Sequence, residues 1–411
     1  MSVKAAFLVA LISLAGSALP AFAQFADQTP GQRFQIDPTH LARPYATESA
    51  GNEPNLIARP AAPAFNLPPG FSANEFAGGF QSPRWLAVAP NGDVFLTLPD
   101  EGKVMLLRDA DGDGKAELTT IFAQGFDRPH GLAFHDGYLY VADVNRVWRM
   151  PWQAGDTEAR TPPRPVTSAG VFGTPRGHWT RNIVFSPDGK RFIVTVGSAD
   201  NIGEDPPVRA TLQSFAADGH DQQTLASGLR NPVGIVYRPG SADLYVVVNE
   251  RDGLGDALVP DYLTRIEPGG FYGWPYAYIG HHVQPDIPSR PDMVAKAIVP
   301  DLLFQSHSAP LGLVFYDGTM FPEEYRGNAF VALHGSWNSG EPTGYKIVRV
   351  PFTGGKPAGY YENFLTGFWV SGRAPAQVWG RPAGLAIARD GSLLVADDAS
   401  GTIWRISYRK P

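Results

Sequence analysis

The chain has no cysteine among its 411 residues. That excludes disulfides, zinc–thiolate centres, iron–sulfur clusters and cysteine nucleophiles together. Charge is sparse at 18% and its balance is acidic, with a formal net charge of −6, so no global field draws nucleic acid. After the first 23 residues there is no apolar run long enough to span a bilayer as a helix, and no stable membrane insertion is expected. Helical periodicity of useful length is missing too. No G-x-S-x-G elbow, P-loop or dinucleotide fingerprint stands between a strand and a helix. What abounds is turn formers, 45 glycines and 38 prolines, without the three-residue period of collagen. With 43% hydrophobic and 12% aromatic residues, the chain can fill a large core.

Residues 1–23 read as a signal peptide: Lys4 is the positive start, Ala5–Ile12 the apolar run, and Ala21-Phe22-Ala23 the small-x-small cleavage site. Export to the periplasm or medium is expected, with the mature chain starting near Gln24. Residues 24–69 lack periodicity and read as an extended lead-in that drapes over a domain or stays mobile. Residues 70–411 repeat themselves. Segments from Pro83, Pro129, Thr180, Pro232, Pro310 and Pro382 share a Pro-x-Gly-like entry, an apolar strand, a turn such as Asn91-Gly92 or Asp188-Gly189, and a second strand. A third strand follows, as in KVMLLRD and TIWRISY. Such a meander cannot bury both faces alone, so six of them stacked radially predict an all-β, six-bladed β-propeller. The last repeat ends on three strands, and a segment near Phe71–Phe76 should close the ring as its outer strand.

In that architecture the loop entering each innermost strand opens at one channel mouth. The pairs ahead of the repeat position are Gln81-Ser82, Asp127-Arg128, His178-Trp179, Arg230-Asn231, Ser308-Ala309 and Gly380-Arg381. Arginines gathered in an acidic protein pair with neighbouring aspartates or share an anionic ligand. Arg forks suit planar carboxylates, and an imidazole of ordinary basicity at His178 suits general-base work. After a VVV strand comes Asn249-Glu250-Arg251-Asp252-Gly253, a polar turn or an oxygen site for a hard cation such as Ca²⁺. Asp109 to Glu117 matches the start of a calcium loop, but its twelfth position is Thr120 rather than Glu. His281, His282, His307 and His334 have no metal-site spacing.

The motifs GHWTRNIVFSPDGKRFIVTVGS from Gly177, GLRNPVGIVYRP from Gly228, NERDGLGD from Asn249, GGFYGWP from Gly269 and GRPAGLAIARDG from Gly380 together resemble the soluble quinoprotein sugar dehydrogenases. This is the glucose/sorbosone dehydrogenase family, and the sorbosone and pyranose dehydrogenase-like branch is the nearer one. The resemblance implies pyrroloquinoline quinone (PQQ) and Ca²⁺ at the channel mouth of a six-bladed propeller. It also implies oxidation of an aldose or a sugar aldehyde such as sorbosone, with electrons passed to an external acceptor, a cytochrome or a quinone. His178 falls on the catalytic base. Arg230, Asn231 and Arg381 fall on cofactor contacts, and main-chain oxygens of Arg251 and Asp252 fall on the Ca²⁺ donors. Three positions depart from the glucose dehydrogenase pattern: Gly177 replaces an Asp, Ala383 an Arg, and no Lys stands near Leu333-His334-Gly335-Ser336-Trp337. Arg128 and Arg251 are the arginines placed to rebuild the clamp on PQQ. Two other classes compete, a Ca²⁺-dependent lactonase-like propeller hydrolase and a non-catalytic glycan- or protein-binding propeller. The first needs carboxylates at the mouth, where the column supplies only Asp127.

Overall fold

The structure, a computed structural model, describes residues 26–410. Residues 1–23, expected from the sequence to be a signal peptide, lie outside the described residues. Six antiparallel sheets follow one another along the chain. Their innermost strands are Leu86–Val88, Gly131–His135, Ile183–Phe185, Asn231–Tyr237, Pro310–Phe315 and Pro382–Ile387. Each inner strand packs on the inner strand of the next sheet, and the sixth packs on the first.

The Pro-x-Gly signature has its reason in this packing. A Cβ on Gly131 would lie 2.7 Å from Arg181 O and one on Gly234 2.5 Å from Leu311 O. On Gly312 and Gly384 it would meet Ala383 O and Arg84 O closer still. Where no glycine serves, a side chain bridges the gap. Asn182 Nδ2 donates to Val233 O at 3.2 Å, and Thr97 Oγ1 to His130 O at 3.1 Å. These six contacts run in order round all six sheets. In three inner strands the register shifts just after the entry, between Pro232 and Ile235, Pro310 and Leu313, and Pro382 and Leu385.

The repeat reading found three strands per unit, and the structure adds a fourth, outer strand. In the first five sheets these are Leu118–Gln124, Arg164–Pro165, Gln223–Ser227, Leu302–Ser306 and Tyr361–Leu365. All five lie outside the three-strand pattern of the repeat, because strands of two to seven residues carry too little alternation to stand out. Phe71–Gly78 is the outer strand of the sixth sheet, pairing antiparallel with Thr402–Tyr408. The segment after the lead-in and the last strand therefore share one sheet, which leaves Thr402–Tyr408 paired on both sides.

The lead-in drapes over the sheets. Arg33–Phe34 extends the fifth sheet. The buried Lys346 Nζ donates to Asp27 O at 3.0 Å and lies 4.4 Å from the Phe34 ring centroid, and burial pushes the amine down to about 8. Farther on, Tyr45 N donates to Leu254 O and Asn52 N to Trp337 O. Asp256 N donates to Thr47 Oγ1 at 2.8 Å. The lead-in thus spans the loops that carry Asp252 and Trp337. Among the described residues no helix is long and apolar enough to cross a membrane.

Candidate active site

His178 sits in an irregular loop between the second and third sheets. Gly177 before it has φ +70, and a Cβ there would overlap Ala199 O. An Asp at that position, as in the glucose dehydrogenase pattern, would not fit this loop path. The ring Nδ1 lies 3.0 Å from both Ser198 O and Ser198 Oγ. A carbonyl only accepts, so Nδ1 carries the proton and Nε2 keeps its lone pair. Burial foremost, and then the nearby Arg230, hold this imidazole down to about 3. The ordinary basicity expected of it is therefore not found, and His178 stays neutral across the physiological range.

His178, Arg230, Asn231, Asn249, Glu250, Asp252, Asp261, His307, Trp337 and Asn338 line one cleft. Within it Arg230 is an internal clamp. Its Nε donates to Asn201 O, Nη1 to Asn249 O and Glu250 O, and Nη2 to Asn201 Oδ1 and Asp252 Oδ2. All five N–H groups have acceptors in the chain, so the fork is not open to a carboxylate. Asn231 is different: its Oδ1 is buried and without a donor. So is Glu250 Oε1.

Two sequence assignments change. Arg251 is absent from the cleft lining, and its guanidinium turns away to Gln284 Oε1 at 3.1 Å and Asp286 Oδ2 at 2.9 Å. Its neighbour Asp252 lines the cleft, but Asp252 O already accepts from Asn201 Nδ2 at 2.9 Å and Arg251 Nε at 3.2 Å. That oxygen is a poor free donor for a cation. Two other lining residues, Asn231 and Glu250, each keep a buried side-chain oxygen without a partner, and oxygens of this kind suit a hard cation.

The remaining arginines are absent from the cleft lining. Arg381 donates to His334 O and Gly335 O, at 3.2 and 2.8 Å. Arg84 and His334 both bind Asp398, with His334 Nε2 2.9 Å from each carboxylate oxygen. Arg128 is exposed, held at φ 51, and stacks 4.3 Å from the Trp179 ring centroid. Among the described residues it forms no ion pair. It is the arginine of the column whose charge is open to an incoming anion.

Sequence reasoning missed the inner lining. Asp261 accepts from Glu250 N and Ala309 N, both at 2.8 Å, and His307 Nδ1 lies 3.4 Å from Asp252 Oδ1. Burial pushes the Glu250 carboxyl up to about 8 and the Asp261 carboxyl up to about 6. His307 was visible as a histidine, but its partner lies 55 positions away and no local spacing marks the pair. Far from the cleft, Asp109, Asp111, Asp113 and Glu117 bring carboxylate oxygens within 4.8 Å of one another on an outer hairpin of the first sheet.

Six antiparallel sheets in mutual contact thus bring a histidine, an arginine and two unpartnered side-chain oxygens to one cleft. The TrAA12-like family profile matches residues 65–262 and 290–409, and the chain belongs to that family. A glucose/sorbosone dehydrogenase profile matches residues 209–336. An uncharacterized protein of Borreliella burgdorferi is 27% identical over 354 residues, covering 84% of this chain and 91% of that protein. The pyrroloquinoline quinone-dependent pyranose dehydrogenase of Coprinopsis cinerea is 27% identical over 416 residues, covering 83% of this chain and 54% of the relative. The chain thus spans about half of that enzyme's length. The holo PQQ domain of C. cinerea pyranose dehydrogenase shares the fold with a TM-score of 0.70 at 23% identity, over 85% of this chain and 98% of the domain. A calcium structure of the Trichoderma reesei family AA12 enzyme gives 0.71 at 22% identity, over 86% and 99%.

Proposed function

We propose that this chain is an exported, periplasmic quinoprotein dehydrogenase. Its six sheets are the blades of a closed propeller with PQQ and Ca²⁺ at one mouth. Its substrate is an aldose or a sugar aldehyde such as sorbosone, and its electrons leave to an external acceptor, a cytochrome or a quinone. One observation carries the reading: a neutral histidine with a bare Nε2 shares a cleft with two donorless oxygens. Family membership supports it, as do the relatives named for PQQ.

The residues present fit the two groups. Asn231 Oδ1 and Glu250 Oε1 would hold the cation, and Arg128, stacked on Trp179 outside the cleft lining, would offer its charge to a carboxylate. When bound, PQQ supplies a two-electron acceptor, with Ca²⁺ as Lewis acid. The protein's own part is proton handling and orientation. His178 Nε2 takes the proton of the substrate's anomeric hydroxyl, or of an aldehyde hydrate, while Nδ1–H stays on Ser198 O. Asp252 lies close enough to favour the imidazolium that results. Trp337, 49% exposed at the rim, offers an apolar face to a sugar ring.

The lactonase reading gains the carboxylates it lacked in the sequence, since Glu250, Asp252 and Asp261 all line the cleft. Asp261 is taken up by main-chain N–H groups, and Asp252 by His307 and Arg230, so they do not form an open cation cage. A panel assay separates the readings. Protein supplied with PQQ and Ca²⁺ together should reduce an artificial dye with an aldose or aldehyde, and neither addition alone should suffice. Lactone hydrolysis without PQQ, or dye reduction with NAD in its place, would overturn the assignment.

A further inference from the structure

The carbonyls around His178 belong to no sheet, since the segment from Thr174 to Thr180 is irregular. Buried carbonyls must still find donors. Most of theirs come from one side chain. Arg209, 3% exposed, reaches in from just ahead of the third strand of its sheet. Its Nε donates to Gly197 O, Nη1 to Thr174 O, and Nη2 to Arg176 O, all at 2.6 Å. Nη2 also reaches Ser198 O at 2.7 Å and His178 O at 3.3 Å. All five hydrogen bonds go to main-chain carbonyls and none to a carboxylate. Arg181 Nη1 adds bonds to His178 O at 2.9 Å and Thr180 O at 2.8 Å. A buried guanidinium without a carboxylate partner is costly, and folding the loop alone would not demand a cation at that point.

We propose that Arg209 is a positioning residue for His178: by binding Ser198 O and the carbonyls on both sides of the loop, it fixes the carbonyl that receives His178 Nδ1–H and so keeps Nε2 unprotonated and aimed into the cleft. Ser198 O is the hinge of the arrangement. It accepts from Arg209 Nη2, from His178 Nδ1 and from His178 N at 3.1 Å. Ser198 Oγ gives its own proton to Asp200 O at 2.7 Å, which leaves its lone pairs toward Nδ1. Lysine could supply the charge but not a fork that spans five carbonyls. Arg209 touches neither the cleft lining beyond His178 nor any group expected to meet PQQ.

The inference rests on His178 being the base, and its test is chosen to be read without turnover. Nitrogen NMR of histidine-labelled protein, with neither PQQ nor substrate, reports the tautomer of His178 at neutral pH, with His178→Gln for assignment. The wild type should show a single tautomer protonated at Nδ1. Arg209→Met and Arg209→Lys should both shift it toward a mixture rich in the Nε2–H form that free imidazole prefers. In the loaded enzyme both variants should lose roughly tenfold to a hundredfold in kcat, as expected for a misplaced catalytic group, while PQQ affinity stays within about twofold. Should the Met variant not fold, the Lys variant carries the test, since it keeps the charge. An unchanged tautomer with unchanged kcat in a folded Arg209→Lys would overturn the proposal. A shifted tautomer in a protein without dehydrogenase activity would uphold the positioning role and refute the enzymatic reading instead.

Discussion

The arginines at the mouth look alike in the sequence and differ in what holds them. Arg230 has every N–H bound within the chain, whereas Arg128 stacks on Trp179 without an ion pair. Arg128→Ala should therefore weaken PQQ by about 1.5–3 kcal/mol, the worth of a charge-assisted bond, at unchanged melting temperature. Arg230→Ala should lower melting temperature and activity together, because it frees the loop carrying Asp252. Titration calorimetry and thermal scans on both variants check this, and an Arg128→Ala variant that binds PQQ normally would remove it from the cofactor site. His178→Ala should lose about 10²–10⁴-fold in kcat with PQQ still bound. Its pH profile follows from the imidazole held down to about 3. Lowering the pH to 5 protonates an ordinary imidazole but leaves this one neutral, so kcat should lack an acid limb near pH 6.5; a limb there would show an unperturbed base. The repeat column located His178, Arg230 and Asn231 because loop position is periodic. It could not say which way a side chain turns. Arg251 faces Gln284 and Asp286 for reasons that lie in the lead-in and the loop after the fourth sheet's third strand. Arg209 and Asn201 carried no signal, since their partners are brought near only by folding.

At the scale of the strand, the Pro-x-Gly entry was legible as a repeat but its cause was not. Gly384 lies against Arg84 O of the next sheet, so a methyl group has no room. Gly384→Ala, which ordinarily helps a strand, should here lower stability by about 1–3 kcal/mol through overpacking, measured by chemical denaturation. A neutral or stabilising result would mean that the inner strands can move apart. The outer strands were hidden because segments of two to seven residues show little alternation. The lead-in was legible only as aperiodic. Its grip depends on single long-range bonds, such as Asn52 Nδ2 to Ser339 O and Arg373 O.

Over the whole molecule, Phe71–Gly78 pairs with Thr402–Tyr408 in one sheet, and each inner strand contacts the next, the sixth contacting the first. Its mouth gathers loops from several sheets, so a ligand there should stabilise the whole fold rather than one part. PQQ with Ca²⁺ should raise the melting temperature in a concentration-dependent way, by mass action on the folded state. Chelator should reverse the gain. The most direct measurement is the absorption spectrum of the protein titrated with PQQ in the presence of Ca²⁺ and then mixed rapidly with an aldose, without any acceptor. A quinone band that shifts on binding and bleaches once, stoichiometrically, with sugar is the predicted result, and in His178→Ala the shift should remain while the bleaching slows by orders of magnitude. A spectrum that does not change on adding PQQ, or a bound quinone that no aldose or sugar aldehyde bleaches, would contradict it.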